Sequence, residues 1–403
     1  MQHILNLLSV IFALNISAFT FAQGEAALPF LYYTPSLESN GLGLTGTSIP
    51  NDEAFGFYYN PANLGYFGRD KNLSFQFYSS SPDLISDNLK AGYNSFALNL
   101  GYSFRKFCGF DLSVGAGFIH NNFKYKNTFG LFSDDEDTYN AFGLGVMLDY
   151  YIAVSLGITL KNINSKLGFA EASANPIDYG ILIEVPVIKL INNDISIPVS
   201  SSTSLIPLFN YSIGYSRLNI GDEIYYVDPA QADPLPLYSR LGHSFKFAFD
   251  FQMRSLNINL FDYCLILEAD DLLVSRSFKQ NGVTTNYQGL IGDIDFGRHL
   301  IQLKGDDKVV VHKGHSIKLG ETVTLMYGSY SGRSYRPNIK TDGFEISSRG
   351  MTKLLNSIMD NNILSYIANH IELKYINSSV FTGSLLETDF SALSVSFFNY
   401  SFD

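Results

Sequence analysis

The sequence has no tryptophan, only two cysteines and few charged residues for its 403 positions. Charged residues make up 16% of the chain, against roughly 25% in an ordinary globular domain. Cys108 and Cys264 are too few for a disulfide framework, so free thiols are expected. After the N-terminus there is no run of about 20 apolar residues, which excludes membrane-spanning helices. The net charge of -11 makes nucleic-acid binding unfavourable.

Phenylalanine and tyrosine are abundant instead. The chain has 33 Phe and 26 Tyr, its hydrophobic content is 46%, and its mean hydropathy is +0.06. An apolar content this high excludes intrinsic disorder, and the lack of a glycine period excludes collagen. The composition favours an all-β protein whose apolar residues are evenly spread along the chain.

The N-terminus predicts export. Residues 4–21 are apolar apart from Asn6 and Asn15 and are followed by a small-x-small pattern at Thr20 and Ala22. These are the apolar region and cleavage site of a secretory signal peptide, predicted over residues 1–22. Positions 1–3 lack Lys and Arg, and a transmembrane anchor is the alternative. No cysteine lies near the cleavage point, which excludes a lipid-anchored lipoprotein.

Period-two alternation dominates the chain from Lys71 onward. In residues 245–251 every second residue is Phe, and Lys246, Ala248 and Asp250 lie between them. Successive side chains of a strand point to opposite faces, so such a segment has one apolar face and one polar or small face. The same pattern occurs at residues 73–77, 96–104, 110–118, 142–148 and 152–160.

Segment length and loop length favour a membrane barrel over a soluble sandwich. The segments run about 9 to 13 residues, enough to cross a bilayer at a tilt, whereas soluble strands average about 5 or 6. Short connections (105–109, 150–151, 254–255) alternate with long ones (81–91, 124–138, 162–175, 219–239), as in outer-membrane barrels. We therefore predict a transmembrane antiparallel β-barrel of about 14 strands over residues 71–403, in the outer membrane of a Gram-negative bacterium.

The later strands are predicted less regularly. An apolar face that flips between Leu260 and Phe261 predicts a β-bulge. Helical spacing over residues 351–359 predicts a short helix in a loop. Further strands are predicted near residues 178–190, 205–218, 256–267, 298–304, 309–317, 323–330, 341–348, 370–377 and 392–401, with two of the pieces between 298 and 330 merged to give fourteen.

The segment before the first strand carries a family resemblance. It contains Leu28-Pro29-Phe30-Leu31, then glycines at 41, 43 and 46, then Asn60-Pro61-Ala62-Asn63-Leu64. This order resembles the N-terminus of the PorV/PorQ proteins of Bacteroidota, which are related to FadL-type fatty-acid transporters; Asn63 replaces their usual Gly or Lys. The resemblance implies that residues 23–70 form a hatch, or plug, inside the barrel, with these hatch residues: Pro29, Phe30, Gly41, Gly43, Gly46, Asn60, Pro61, Ala62 and Leu64.

The same residues have a direct physical interpretation. Asn60 is a good N-cap and Pro61 a good first helical residue, so a short helix should begin there. The three glycines allow tight backbone packing. Residues 41–46 also match the dinucleotide-binding fingerprint, but that fingerprint needs a strand, a turn and a helix in a βαβ unit, which this strand-rich pattern lacks.

Other chemical motifs are sparse. His312-x-x-His315 has metal-like spacing in a strand-and-turn region, where it is more often incidental. The acidic run Asp134–Asp137 could hold divalent cations near lipopolysaccharide or be a solvated loop tip. No Gly-x-Ser-x-Gly motif or triad spacing occurs, so neither an enzyme nor a cofactor is expected. Residues that could line a polar passage are Lys246, Asp250, Arg254, Glu372 and Lys374.

Two functions follow from these expectations. The resemblance implies a PorV-like component of the type IX secretion system, which binds exported cargo proteins and passes them to surface attachment machinery. Its partners would be cargo, other secretion components, outer-membrane lipid and lipopolysaccharide. The alternative is a FadL-like transporter of hydrophobic small molecules. An outer-membrane esterase or protease would need a catalytic set that the sequence does not display.

Overall fold

The computed structural model describes residues 26–80, 89–105, 110–127, 135–192, 195–253, 256–279, 282–333, 335–359, 361–384 and 386–400. The predicted signal peptide over residues 1–22 lies outside the described residues. So do Cys108, Asp134 and Arg254.

Long, alternating segments of the chain form its strands. The described residues contain eighteen, in chain order β1 (Leu73–Ser80), β2 (Leu89–Ser103), β3 (Asp111–Asn127), β4 (Glu136–Asp149), β5 (Ala153–Leu167), β6 (Ala170–Ala174), β7 (Ile177–Pro186), β8 (Ile197–Ser200), β9 (Thr203–Ile220), β10 (Tyr238–Met253), β11 (Leu256–Leu272), β12 (Val274–Lys279), β13 (Gly282–Tyr287), β14 (Val309–Leu319), β15 (Val323–Gly332), β16 (Tyr335–Ser347), β17 (Ile371–Val380) and β18 (Thr388–Phe397).

Fourteen of these strands close into one antiparallel barrel. Each wall strand pairs with the next wall strand along the chain, and β18 pairs with β1 to complete the ring. The four short strands lie outside the ring: β6 and β8 pair with the ends of β5 and β9, and β12 pairs with β13 as a separate hairpin. The predicted all-β fold, an antiparallel barrel of about 14 strands, is confirmed.

Helices are few and short. They are α1 (Leu37–Gly41), α2 (Asn63–Asp70), α3 (Val187–Ile191), α4 (Arg349–Ile358) and α5 (Asn362–His370), with brief helical turns at Pro29–Tyr32, Pro229–Gln231 and Phe296–Ile301. In the described part of the chain, no helix combines the length and apolarity needed to cross a membrane.

The two ends of the barrel differ. At the end where β1 begins, the turns at 149–153 and 319–323 are tight, and we call this the turn end. Most connections at the opposite, loop end are long, as at 220–238 and 272–309, although β15 ends at Gly332 and β16 already begins at Tyr335. The predicted alternation of short and long connections is present, except that the turn end also carries α3, α4 and α5.

One predicted strand is wrong. Residues 298–304 lie in the long connection between β13 and β14 and overlap the helical turn Phe296–Ile301. The Asp295 side chain accepts a hydrogen bond from the Arg298 backbone N–H and caps that turn, and consecutive residues His299 and Leu300 are both buried. Local capping therefore outweighs the short apolar pattern. The count of fourteen holds because this strand is absent, not because two strands merge.

Two other local predictions are confirmed. Phe249 pairs with Phe261 and Asp250 with Asn259, so Leu260 is the extra residue of a bulge where the apolar face flips. Helix α4 covers most of the helix predicted at 351–359. Helix α5 was not predicted, and the end of the strand predicted at 178–190 is helix α3.

The N-terminal segment, residues 26–70, lies inside the barrel. Leu37, Phe55 and Leu64 are fully buried, and they belong to one apolar cluster with inward-facing residues of the wall. These wall residues include Tyr78, Tyr93, Ile119, Phe123, Tyr139, Ile163, Ile266 and Ile376. The hydrophobic core of the molecule is therefore the contact between the wall and the segment it encloses.

Candidate functional site

Apolar side chains cover the outer surface of the wall. Along β4, Phe142, Leu144 and Leu148 are 57%, 62% and 46% exposed, whereas the alternating Met147 is buried. Equivalent exposed positions on other strands are Phe75, Phe77, Leu98, Leu100, Leu156, Ile158, Phe247, Phe249, Leu325, Tyr327, Leu373 and Leu393. A soluble monomer rarely exposes a continuous apolar belt of this extent, while lipid covers it at no cost. The chain is an outer-membrane β-barrel.

On the inner surface, a continuous row of glycines crosses five strands. Each of these glycines pairs directly with the next one across the sheet, so together they form a strip of backbone without side chains. We call these residues the glycine row: Gly101, Gly115, Gly145, Gly157 and Gly180.

The N-terminal segment lies directly on the glycine row. A Cβ added at Gly115 would overlap the carbonyl of Leu64, and one at Gly157 would overlap the backbone of Pro61. A Cβ at Gly180 would overlap the side chain of Asn60. Only glycine lets two backbones approach this closely. The row therefore fits residues 60–64, four of which are predicted hatch residues: Asn60, Pro61, Ala62 and Leu64.

The Asn60 side chain fastens its part of the segment to the wall. Its amide donates to the carbonyls of Thr47 (2.7 Å) and Ile181 (3.0 Å), and its Oδ1 accepts from the Ala62 backbone N–H at 3.0 Å. Asn60 thus caps the turn that precedes α2, but the predicted helix start at Pro61 is wrong, because α2 begins at Asn63 with Ala62 as its N-cap. Ala62 and Leu64 are fully buried.

Asn63 connects three parts of the N-terminal segment through its side chain. Its Oδ1 accepts from the Asn51 backbone N–H at 3.1 Å, and its amide donates to the carbonyls of Gly46 (3.3 Å) and Gly56 (3.0 Å). These bonds join three parts of the N-terminal segment. A glycine at this position could make none of them through a side chain.

The glycine motif at 41–46 holds a carboxylate of the barrel itself. Oε1 of Glu268 on β11 accepts backbone N–H bonds from Gly46 (3.1 Å), Thr47 (2.8 Å) and Ser48 (2.8 Å), and the Ser48 hydroxyl adds a fourth at 2.9 Å. Gly43 has φ +75° and lies against the backbone of β15, so any side chain there would be strained and would clash. Gly46, the last residue of the dinucleotide-like motif, thus begins a nest of N–H donors for Glu268.

Arg240 on β10 completes this contact. Its guanidinium donates to the Leu44 carbonyl at 2.6 Å and to the Thr47 hydroxyl at 3.0 Å, and it reaches Glu268 at 3.4 Å. The same group lies 3.9 Å over the ring of Tyr59, a cation–π contact. One wall cation therefore holds three parts of the N-terminal segment.

Asp270 and His312 extend the network across the wall. Asp270 accepts from Arg240 at 3.3 Å and contacts Nε2 of His312 at 2.7 Å. Nδ1 of His312 faces the Gly43 carbonyl at 2.8 Å. Both ring nitrogens of His312 therefore face oxygen atoms, one of the wall and one of the N-terminal segment. We call Arg240, Glu268, Asp270 and His312 together the latch.

The structure separates the two histidines of the metal-like motif. His312 points inward to the latch, whereas His315 pairs with the hydroxyl of Tyr263 at 2.9 Å on the other face of the sheet. Residues three apart on a strand face opposite sides, so spacing that suits a helix cannot form a site here. Within the described residues, no group of three His, Cys, Asp or Glu side chains could hold a metal ion.

The acidic run at the loop end is partly internal. Asp137 is buried and accepts hydrogen bonds from the hydroxyls of Tyr125 (2.6 Å) and Ser165. Asp135 accepts from the Gly168 backbone N–H at 2.6 Å. These carboxylates thus bond to neighbouring strands of the same protein.

Ion pairs hold the segment at the turn end. Asp52 lies 3.1 Å from Nζ of Lys71 and 3.4 Å from Nζ of Lys374, and both lysines are buried. Lys71 also pairs with Glu372 at 3.1 Å, and Lys374 with Glu345 at 3.2 Å. Glu372 and Lys374 were predicted to line a polar passage; they line a polar cavity of about 190 Å³, in which Lys374 also binds Asp52 of the N-terminal segment.

Several small cavities lie inside the barrel. A polar cavity of about 200 Å³ near the turn end is lined by Lys246, Asp262 and Lys318, among others. Lys246 pairs with Asp262 at 2.8 Å. A second cavity, of about 50 Å³, lies beside Tyr58 and Arg240. Neither is roomy enough for an acyl chain.

Glu53 links the segment to β1. Its carboxylate accepts from the Ser36 hydroxyl, from the Leu37 backbone N–H at 3.1 Å and from the amide of Gln76 at 2.8 Å. Burial raises the pKa of the Glu53 carboxyl to about 7, although these donors act in the opposite direction. The folded state therefore binds this proton more tightly than the unfolded chain does.

Attachment of the segment should weaken as pH rises. An acid whose pKa is raised by folding contributes stability below its unfolded value, 4.5, and loses it as pH rises through about 7. We expect chymotrypsin to cleave the N-terminal segment faster at pH 8 than at pH 5, after correction for the enzyme's own pH profile. Glu53→Gln should flatten this dependence, and an unchanged slope in that variant would assign it to another group.

The other predicted hatch residues lie in the same N-terminal segment. Phe30 lies 6.2 Å from Tyr139 between ring centroids, and Pro29 begins the short turn Pro29–Tyr32. Gly41 lies against Met326 and the backbone of β16. All nine residues thus lie in the segment that the wall encloses.

Sequence reasoning missed the latch. The signal was present as Glu268-Ala269-Asp270-Asp271, an acidic run at the end of an otherwise apolar strand. Three carboxylates in one strand require partners, since a buried charge without one is costly. Their partners lie in other strands and in the N-terminal segment, and no local pattern identifies them.

Comparison with known proteins finds weak structural likeness only. No protein-family model matches the sequence, and no curated protein matches it. A TodX monoaromatic hydrocarbon channel mutant superposes with a TM-score of 0.39 at 11% identity, over 92% of this chain and 98% of that one. A Pseudomonas aeruginosa FadL homologue gives 0.38 at 9%, over 91% and 98%. The CymD monoaromatic hydrocarbon channel gives 0.36 at 11%, over 90% and 97%. TM-scores and sequence identities this low do not assign the chain to a family.

Proposed function

We propose that the protein is an outer-membrane transporter of hydrophobic small molecules, with the N-terminal segment as its plug. The observation that carries this proposal is an apolar groove of about 1300 Å³ on the lipid-facing side of the wall. It runs across β1 to β5 and β18 and is lined by outward side chains such as Leu100, Val114, Leu144, Leu156 and Ile158. A groove of this size and polarity suits an apolar ligand.

The groove lies on the reverse side of the glycine row. Its floor includes Gly101, Gly115, Gly145 and Gly157, and the opposite face of these glycines carries residues 61–68 of the segment. Here only the strand backbones separate the lipid-facing groove from the plug. Withdrawal of the plug would leave an inner chamber along the same strip, bordered by the apolar and aromatic core.

Filling the groove should reduce uptake of an apolar substrate. Ala116 borders the groove and lies next to Gly115 on the outer face, so Ala116→Phe adds a ring there without contacting the plug. We expect uptake of a radiolabelled long-chain fatty acid or monoaromatic hydrocarbon by expressing cells to fall several-fold. Leu325→Phe, on an exposed site of β15 outside the groove, is the matched control.

The comparison must include a strain that lacks the protein. Transport predicts uptake in the order wild type and Leu325→Phe, then Ala116→Phe, then the deletion strain. Equal uptake in all four strains, with equal amounts of folded barrel, would reject the proposal. The two substrates are measured separately, because the apolar lining does not distinguish an acyl chain from an aromatic ring.

A PorV-like role in type IX secretion is the second candidate. It is favoured by the small interior cavities and by an open pocket of about 690 Å³ at the loop end, lined by polar residues including Glu136, Lys166, Glu171 and Tyr226. Such a surface could contact an exported protein. Co-purification from solubilised membranes tests it: cargo with a C-terminal secretion signal should be recovered, and loss of the protein should stop its secretion.

A further inference from the structure

Two helices at the turn end present an apolar face that no described part of the chain covers. Met351, Leu354, Leu355 and Ile358 follow the spacing of one helical face on α4, and their exposed fractions run from 41% to 79%. Ile363 on α5 is 72% exposed. In water this surface would be unfavourable, so its surroundings need explanation.

The opposite side of α4 is fixed to the rim of the barrel. Lys353 and Arg349 both contact the carboxylate of Glu321, at 2.7 Å and 3.2 Å. The Arg349 guanidinium also lies 4.7 Å from the ring centroid of Phe398. These contacts turn the polar side of the helix toward the mouth of the barrel and its apolar side away from it.

The apolar face continues the lipid-facing surface of the wall. Ile346, two residues before the α4 N-cap, is 48% exposed, and Leu373, near the start of β17, is 54% exposed. Ser348, the N-cap of α4, is held against β17, because its backbone N–H donates to the Leu373 carbonyl at 2.9 Å. The helices thus begin where the lipid-covered belt ends.

An aromatic cluster lies beside these two helices. The hydroxyls of Tyr366 on α5 and Tyr400 after β18 are 2.7 Å apart. The ring of His370 lies 4.9 Å from each of these tyrosine rings. Tyrosines with an apolar body and a polar tip are typical of the boundary between lipid and water.

We propose that α4 and α5 form an interfacial anchor that lies in the lipid leaflet next to the turn end. The occupant of the apolar face is then phospholipid, with the side chains of Ile358 and Ile363 at the boundary between headgroups and acyl chains. Lipid is favoured over a protein partner because the face is continuous with the lipid belt. In addition, Arg349 and Lys353, the two basic residues of α4, already pair with Glu321 rather than face outward toward a protein partner.

The absence of tryptophan makes this proposal directly measurable. In Ile358→Trp, the purified full-length barrel would contain a single tryptophan. We reconstitute it in phosphatidylcholine vesicles with or without bromine atoms on the acyl chains, which quench tryptophan on contact. We expect blue-shifted emission and more than a twofold loss of intensity in the brominated vesicles.

Two matched variants calibrate the signal. Phe142→Trp, in the middle of the lipid belt, should be quenched, and Phe169→Trp, fully exposed beyond β5 at the loop end, should not. Ile363→Trp repeats the test on α5. Folding is checked for each by the mobility shift of heated and unheated samples in detergent gels.

Depth distinguishes the interface from the membrane interior. Bromines near the headgroup should quench Ile358→Trp more than bromines deep in the chains, and Phe142→Trp should show the reverse order. Equal intensity in brominated and ordinary vesicles at both helix positions, in folded protein, would overturn the proposal. That outcome would mean that water or protein covers this face.

Discussion

Glu268→Gln is expected to release the N-terminal segment and convert a closed barrel into an open one. The amide would keep one acceptor oxygen for the nest, but it would replace Oε2, which accepts from Gly46 and Arg240, by an N–H donor and would remove the charge that faces Arg240. Breaking one partner of a buried charge network costs about 3–5 kcal/mol. Planar-bilayer recordings should show conductance steps that the wild type lacks, and chymotrypsin should cleave the released segment.

The control for this variant is a glutamate outside the latch. Glu171 on β6 is exposed, so Glu171→Gln changes the same charge without touching the segment. It should remain closed and resistant to cleavage. A folded Glu268→Gln barrel that is equally closed would show that the latch does not hold the segment.

Gly115→Val on β3 is also expected to expel the N-terminal segment, here by a steric clash rather than by loss of a charge. Its Cβ would occupy the position of the Leu64 carbonyl, a backbone atom that cannot rotate away. Overpacking costs about 1–3 kcal/mol, and such energies correspond to a 5- to 150-fold shift in an equilibrium. The open fraction in bilayer recordings and the rate of chymotrypsin cleavage should rise accordingly.

Its neighbour supplies the matched control. Ala116 points to the outer face of the same strand, so Ala116→Val adds the same two methyl groups on the lipid side and should leave the barrel closed. The two sites can also be coupled. If Glu268 and Gly115 hold one segment, the effects of Glu268→Gln and Gly115→Val should be less than additive in the double variant. Full additivity would mean that each contact holds a separate part of the segment.

The wall was predictable from the sequence because its pattern is local. Each residue of a strand faces either lipid or the interior, and the alternation at 245–251 states this directly. The bulge at Leu260 was predictable for the same reason, since one extra residue inverts the faces on either side of it. Where local capping replaced alternation, as at 298–304, the prediction failed.

The N-terminal residues were predictable as a motif but not as contacts. Asn60 and the glycines at 41, 43 and 46 stand out in the sequence, and all lie in the enclosed segment. Their contact partners do not stand out in the sequence, because they are distant along the chain: Gly46 binds Glu268, which is 222 positions away. The glycines of the row also lie in five separate strands. Only the strand register turns them into a row.

The sequence by itself determined the barrel, its orientation of polar and apolar faces and the segment that precedes it. Those features depend on intervals of two residues or on consecutive motifs. The tertiary structure alone decided that Glu268 and Arg240 bind the segment, that the glycine row lies against α2, and that His312 and His315 never meet. Such contacts depend on which strands become neighbours and in which register, and closure of the ring sets both.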